Sequence, residues 1–575
     1  MPSIGHPEIP SSKWGFPCPG LQDPRPDEVV NNSIFLSTQS WNELVNFDGY
    51  DYVVIGTGCT ALAFVHETLR LNPYKRILCL ERGGKSPITR LYMGNLPVPF
   101  KGLIGGDSET FPWTLSKATR QSQLSYCHGY YPFFGGRSLF WSGWCPQPSL
   151  QALRGFPETM RRAAADPNFW SHARDVLNVV SASEMPAEAF DSLQRQLSGR
   201  LQHPVSGVPS LAISEPAMLA SGHKHKTARA GFSKFCAAES LLALMHQQRQ
   251  KAIHGTGSPL EIGLNCTVRR IVLDGEDITG LETSRGHISL NGGRTKLVLC
   301  AGAVPNTTLL LNSIPRMRKT AGKRLTGHFL SHVTVRVPLD QLTWWSQDRS
   351  EHLEIAAQCL LGYHPMTGRQ YQIQVTAVHC ADPDCDVEDL ARKCPDYSAS
   401  AQVNQLRGSE NHVLFLCAAI GEFSESNTQC WIRHRDEDPD DTTNIQLQYL
   451  CSDEDEELWS FMEDATLRLV DGLAQDDRKE YWDKFTQSWS MQRPSAELMR
   501  IKGVVHEASS TFLGPEVEGG SVDERYRPYG VKDAYVTGAG LFPTAGAWNP
   551  TLPMCGFAQD LARQLHADLA SREDE

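Results

Sequence analysis

At 575 residues the chain exceeds the roughly 150 residues of an ordinary domain, so two large domains are expected. Hydrophobic residues make up 40% and charged residues 21%, and the longest strongly apolar stretch, 413–420, falls far short of the ~20 residues of a membrane-spanning helix, so no membrane span is expected. With 54 Lys+Arg against 66 Asp+Glu the net charge is −12, which suits a polyphosphate backbone poorly and sets nucleic acid aside as a partner.

The start, MPSIGHPEIPSSKWGF, lacks the basic-then-apolar run of a secretory signal, and the 16 cysteines form no C-x-x-C pair. Both features predict reduced thiols and a cytoplasmic location. Residues 1–47 hold seven of the 35 prolines and little periodicity, and are expected to form an extended arm on the surface. From Asp51 the pattern changes. Asp51-Tyr-Val-Val-Ile reads as a strand, Cys59 to Leu71 as a helix and Arg76-Ile-Leu-Cys-Leu as a second strand, a βαβ unit.

Helical patterns follow at 151–165 and 190–200, then a basic stretch, His223-Lys-His225-Lys, that reads as an exposed loop. Strand signals return between 264 and 302 and are expected to extend the first sheet, with a helix from about Pro305. Alternation at 333–337, 371–378, 412–416 and 444–450 predicts an antiparallel sheet. Helices are expected at 454–474 and 551–570. The acidic run 436–441 lacks the Gly and terminal Glu of a calcium loop, and His379-Cys380 with Cys385 lacks a second ligand pair for zinc, so no metal is expected.

Gly56-Thr-Gly58-Cys-Thr-Ala61 fits G-x-G-x-x-A between strand and helix. The small residues there permit a tight turn, close approach of a pyrophosphate and packing of helix on strand. The helix N-terminus would face the diphosphate. Glu81 ends the second strand, where a carboxylate accepts hydrogen bonds from an adenosine ribose and disfavours a 2′-phosphate. This motif alone does not separate FAD from NAD.

Further motifs appear in order. Gly135-Gly136-Arg-Ser138-Leu-Phe140-Trp141-Ser-Gly143 is followed by Asn265-Cys-Thr-Val268-Arg-Arg-Ile271. Cys300-Ala-Gly302-Ala-Val-Pro-Asn306 and Gly327-His-Phe-Leu-Ser-His332 come next. Last are Tyr535-Val-Thr-Gly538-Ala539-Gly540 and Gly546-Ala-Trp548-Asn549-Pro550-Thr551. In this combination the chain resembles the glucose-methanol-choline (GMC) oxidoreductases, FAD enzymes that oxidise alcohols, over most of 48–575, and is nearest the His/Asn-type, pyranose-oxidase-like members.

The resemblance implies an α/β (α+β overall) architecture. A Rossmann-like FAD-binding domain would be built discontinuously from 48–150, 225–330 and 500–575. A substrate domain with a largely antiparallel sheet would comprise 151–224 and 331–499. Gly56, Gly58, Ala61, Glu81, Gly136, Ser138, Val268, Gly538, Ala539, Asn549, Pro550 and Thr551 are then expected at the cofactor. His506, opening the run HEASSTFLG, aligns with the family's catalytic His, and Asn549 with its second catalytic position. A neutral imidazole takes the hydroxyl proton as hydride leaves the carbinol carbon, and a carboxamide orients the alcohol. Pro550 suits the first helical position, so the last helix would aim its positive end at the flavin.

Three departures bear on these expectations. Phe140 stands where some relatives tether FAD through His, so the cofactor is expected to be non-covalent. Ser509-Ser510 replace the usual Gly-Thr, which could mis-aim His506, and Gly538 stands where many members carry an acid. Trp141, Trp144 and Trp548 are candidate walls of a pocket for an aromatic or polycyclic alcohol in secondary metabolism, or else core. Oxygen or another acceptor would reoxidise the flavin. The alternatives are a lyase or rearrangement enzyme with structural FAD, and a non-catalytic binding protein.

Overall fold

Four-residue apolar strands buried on both faces make a five-stranded parallel sheet, as expected where helices cover both sides. In this computed structural model, residues 29, 32–44, 49–85, 120–122, 126–127, 131–139, 141–185, 189–202, 208–222, 234–290, 293–345, 353–395, 403–407, 410–442, 444–474 and 478–573 are described. The strand order is Ala534–Val536, Lys296–Leu299, Tyr52–Ile55, Ile77–Leu80, Leu260–Gly263. Tyr52–Ile55 is central, and the chain leaves it into the helix Cys59–Leu71. The chain then builds outward on one side through Ile77–Leu80 and Leu260–Gly263 and later returns to the other side with Lys296–Leu299 and Ala534–Val536, so the switch point at which open α/β sheets bind ligands lies at the C-terminal end of this central strand.

Three expectations need correction. The segment 264–290 does not extend this sheet: Val268–Asp274, Asp277–Thr283 and Gly286–Ser289 form a separate three-stranded antiparallel meander. Their exposed residues could not be covered on both faces, whereas the short Leu260–Gly263 could, and it takes the edge position. Residues 32–44 are not a surface arm. Leu36 donates its amide to the Ile262 carbonyl at 3.0 Å, and the helix Thr38–Leu44 buries Trp41 and Leu44. Residues 151–156 are turns, and the helix starts only at Glu158, after Pro157.

The second sheet is antiparallel over its long strands. Thr326–Pro338, His412–Glu422, Gln370–His379 and Glu354–Tyr363 lie side by side, and Arg500–Ala508 also pairs with the first of these. Opposed residues share a face, so the register separates two environments. One face carries Phe329, which stacks on Trp459 of the helix Asp453–Leu473 at 4.7 Å between centroids. The other carries His328 opposite Glu422, with Gln372 and Gln374 two strands away. The C-terminal helix Thr551–Glu573 packs on Cys59–Leu71, where Arg563 Nε donates to Glu67 Oε1 at 2.8 Å. Among the described residues no helix is long and apolar enough to cross a membrane.

Candidate active site

The turn after Tyr52–Ile55 explains its own glycines. Gly56 sits at φ +101°, and a Cβ there would lie 2.7 Å from the Cys300 carbonyl oxygen, so only glycine fits. Gly58 differs: its φ is −78°, and a Cβ would meet no protein atom within 4 Å. It precedes the helix Cys59–Leu71, whose N-terminus has no side-chain cap, leaving first-turn amides available to an anion. Ala61 is fully buried, helix against sheet.

Glu81 is buried at the end of the second strand, accepting from Thr57 Oγ1 at 2.6 Å and from the Gly83 amide at 3.0 Å. Burial raises its pKa to about 7, against the hydrogen bonds that hold the ionised form. Thr57 Oγ1 also accepts from the Gly135 amide at 3.1 Å, joining the two glycine loops. Gly136, at φ +56°, would place a Cβ 3.2 Å from the Gly58 Cα. Ser138 donates to the Gly135 carbonyl and accepts from the Ala237 amide, at 2.6 and 2.8 Å. Val268 opens the antiparallel meander rather than a strand of the parallel sheet, but the preceding Cys266 amide donates to the Glu81 carbonyl at 2.8 Å.

The C-terminal motifs converge beside this cradle. Asn306 Nδ2 donates to the carbonyls of Leu299 and Thr537, both at 3.2 Å. Gly538 takes φ +97°, and the Ala539 carbonyl accepts from the Ser509 amide at 3.1 Å. The strand bearing His506 therefore runs out along the 538–541 segment.

Pairing between the two strands goes from Thr326↔Ala508 to His328↔Val505, so the stretch 505–508, which contains His506, holds one residue more than its partner, and a second register shift lies between His328↔Val505 and Leu330↔Ile501. The first is a bulge, which re-aims side chains. His506 and Ser509 both adopt φ +60°, conformations that cost a residue with a Cβ roughly 1–2 kcal/mol and concentrate at functional sites. Ser509 thus keeps the backbone that glycine would adopt, and its hydroxyl lies 2.9 Å from Thr326 Oγ1. Glu507, buried between these two, pairs with Arg137 of the glycine-rich loop at 2.7 Å.

His506 Nδ1 lies 2.7 Å from His328 Nδ1, and His328 Nε2 lies 2.7 Å from the Gly546 carbonyl oxygen. The Gly546 amide in turn donates to Glu422 Oε2 at 2.6 Å. Three residues on, Asn549 Oδ1 accepts from Gln374 Nε2 at 2.5 Å and from Gln372 Nε2 at 3.4 Å, so this oxygen serves the sheet rather than capping the helix. The helix starts at Thr551, with Pro550 immediately before it rather than inside it. The two predicted catalytic side chains are therefore tied to one turn, 546–549, from opposite ends.

His328, Gln372, Gln374 and Glu422 were not singled out from the sequence. A signal did exist for the glutamines: they alternate with apolar residues in an otherwise hydrophobic strand. Of the tryptophans, Trp144 lies in an apolar cluster with Phe190 and Leu219, and Trp548 packs against Phe156. Both are core. Trp141 is half-buried and donates to the Phe235 carbonyl at 2.8 Å. Phe140, His223 and His225 lie outside the described residues. Among the described residues no group of three His, Cys, Asp or Glu side chains is arranged to hold a metal.

The residues fit a dinucleotide. Open space beside Gly58, the uncapped helix and the buried Glu81 are the parts a diphosphate and ribose need. Two further buried polar atoms near the 538–549 segment, Trp548 Nε1 and Thr511 Oγ1, have no partner among the described residues.

A phosphate-type turn on a parallel sheet, joined to an antiparallel sheet with a histidine and an asparagine at the seam, defines the class: a two-sheet α/β fold whose parallel sheet is built like a dinucleotide-binding one. The sequence profile described as "GMC oxidoreductase" matches residues 426–558. The pyridoxine 4-oxidase from Mesorbium loti shares the fold, with a TM-score of 0.54 at 15% identity, over 90% of this chain and 99% of that one. Comparison with curated protein sequences returns no match. Over residues 426–558 the chain is thus similar to the GMC oxidoreductases, a family of flavoproteins.

Proposed function

We propose that this protein is an FAD-dependent oxidoreductase that converts the CH–OH group of a small-molecule alcohol to a carbonyl, with His506 as the base and Asn549 as the orienting group. The observation that carries the reading is the attachment of both side chains to the 546–549 turn, with His506 held in a left-handed bulge. Segments 48–150, 225–330 and 500–575 would hold the cofactor, and 151–224 with 331–499 the substrate.

Bound FAD supplies the two-electron acceptor. The Gly58 turn and the start of Cys59–Leu71 would hold its diphosphate, Glu81 its ribose and the backbone at Val268 its adenine. Gly136, Ser138, Gly538, Ala539 and the Pro550–Thr551 helix start would line the remainder. His506 takes the hydroxyl proton. Because Asn549 Oδ1 is already engaged by Gln374, its Nδ2 remains to donate to the substrate oxygen as negative charge grows there. The alcohol's hydride then departs from a carbon held in one orientation. The amides of Gln372 and Gln374 beside Asn549 and the core positions of Trp144 and Trp548 favour a substrate with hydrogen-bonding groups over an apolar polycycle.

The name of the structural neighbour, an oxidase of pyridoxine, is consistent with a hydroxymethyl or secondary alcohol substrate and with oxygen as one acceptor. The deciding experiment is anaerobic mixing of the yellow protein with sugars, pyridine alcohols and aromatic alcohols. Bleaching by at least one of them, slowed by orders of magnitude in His506→Ala with FAD retained, is expected. Unchanged single-turnover reduction in that variant removes His506 from the role.

A further inference from the structure

The strand Thr326–Pro338 brings to the seam a histidine that the chemistry above does not use. His328 is fully buried, its ring edge-to-face with that of His506 at 5.0 Å between centroids. A carbonyl oxygen only accepts, so the 2.7 Å contact with Gly546 puts a hydrogen on His328 Nε2. Burial lowers the pKa of this imidazole to about 4, so near neutral pH it carries that hydrogen alone and Nδ1 is a lone pair. A lone pair 2.7 Å from His506 Nδ1 requires that the latter donate. Neutral His506 then has its own lone pair on Nε2.

We infer that His328 is a positioning residue: through its two ring nitrogens it fixes the tautomer of His506, making Nε2 the proton-accepting atom, and it anchors the turn that carries Asn549. The inference rests on the reading of His506 as the base. It accounts for two features that would otherwise be unrelated costs, a buried histidine and a strained one in direct contact.

The bond directions also suit the reaction. When the substrate O–H bond breaks and Nε2–H forms, His506 becomes a cation and its Nδ1–H bond to neutral His328 becomes charge-assisted. The electron pair of the C–H bond leaves with the hydride to FAD, so nothing else is required for balance. At the far side of the turn Glu422 holds the Gly546 amide, so this residue is gripped through both its N–H and its C=O. Gly546 has φ +66°, and a Cβ there would lie 2.2 Å from the Trp548 ring, so the turn has little room for another geometry.

The test is nitrogen-15 NMR of histidine-labelled, flavin-loaded protein, with the His506 signals assigned by their loss in His506→Ala. Wild-type protein in mildly alkaline buffer is expected to show hydrogen on Nδ1 of His506 and none on Nε2. His328→Leu should let the Nε2–H tautomer appear and slow flavin reduction by alcohol about 10²–10³-fold at unchanged FAD content. His328→Gln, whose amide can both donate to Gly546 and accept from His506, should recover the rate to within about tenfold. Hydrogen on Nε2 of His506 in the wild type overturns the inference even if His328→Leu does not fold. So does an unchanged tautomer in His328→Leu or His328→Gln recovering neither tautomer nor rate. The expected wild-type tautomer together with normal reduction in His506→Ala would refute the base role while the His328 assignment stands.

Discussion

Gln374 donates from Nε2 to Asn549 Oδ1 at 2.5 Å, joining the antiparallel sheet to the proposed orienting residue just before the C-terminal helix. On the proposed reading this contact decides which end of the carboxamide a bound alcohol would meet: with the oxygen taken, Asn549 would act as a donor. Asn549→Asp, which offers oxygens on both sides, is therefore expected to slow flavin reduction more than Asn549→His, which keeps an N–H. Gln374→Leu should free the amide to rotate and lower the rate about 10–100-fold, since each tenfold corresponds to about 1.4 kcal/mol of lost orientation. Stopped-flow reduction of the three variants ranks them, and equal rates for Asn549→Asp and Asn549→His would refute the donor role.

The clamp on Gly546 carries two opposed titrations. Burial raises the Glu422 pKa to about 7, reinforced by Glu425 and opposed by Arg369, with Asp455 also facing it. The folded protein therefore binds an extra proton between pH 4.5 and about 7, and stability falls as pH rises through that window by about 1.4 kcal/mol per unit. His328, lowered from 6.5 to about 4, has the reverse effect: stability falls as pH drops through its window. Between pH 4.5 and 6.5 the two contributions nearly cancel. Glu422→Gln keeps an acceptor for the Gly546 amide and removes one of them. Its unfolding free energy should gain on the wild type by about 1.4 kcal/mol per pH unit across that window, measured by urea denaturation. Parallel pH profiles for the two proteins would exclude this assignment.

Ser509 sets a backbone cost against a hydrogen bond. Ser509→Gly relieves the left-handed strain, roughly 1 kcal/mol, and loses the 2.9 Å contact with Thr326 Oγ1, also about 1 kcal/mol. The expected change in stability is within about 0.5 kcal/mol of zero. Double substitution with Thr326→Val, which removes the hydroxyl left behind, should be more stable than Thr326→Val alone by about 1 kcal/mol. A loss exceeding 2 kcal/mol in Ser509→Gly would mean that the serine does more than fill a glycine position.

With no histidine at position 140, FAD is expected to be held without a covalent bond. Acid precipitation should leave all of the yellow colour in the supernatant. Flavin that stays with the pellet after washing would contradict this.

The parallel sheet and its first turn were legible because their residues answer to local rules. Four-residue apolar strands, Gly56 at positive φ and Glu81 at a strand end leave marks within a few positions. The segment 264–290 misled because its alternation fits any strand, and only the exposure of Arg269 and Arg270 tells a meander from a doubly covered sheet. His506 and Asn549 were found through separate motifs. The residues that hold them were not, because His328, Gln374 and Glu422 come together through the register of three strands, and their contacts span 178 positions from His328 to His506, 175 from Gln374 to Asn549 and 124 from Glu422 to Gly546. Periodicity states which residues share a strand face, but not which strands become neighbours.

Gly56 and Gly58 stand two residues apart in one motif and should fail in different ways. Gly56→Ala forces a Cβ to within 2.7 Å of the Cys300 carbonyl at φ +101°, so loss of fold stability by several kcal/mol is expected even without cofactor. At Gly58 the backbone suits any residue and a Cβ meets no protein atom. Gly58→Ala should therefore leave the apoprotein as stable as the wild type or more so, by up to about 1 kcal/mol, because the unfolded chain loses freedom. The same methyl group occupies the space through which a diphosphate approaches the helix N-terminus, so FAD affinity should fall at least tenfold. Apoprotein melting curves and flavin titration separate the two effects. Should Gly58→Ala bind FAD as tightly as the wild type, the cradle would lie elsewhere, and the positions assigned to Glu81 and Gly136 would fall with it.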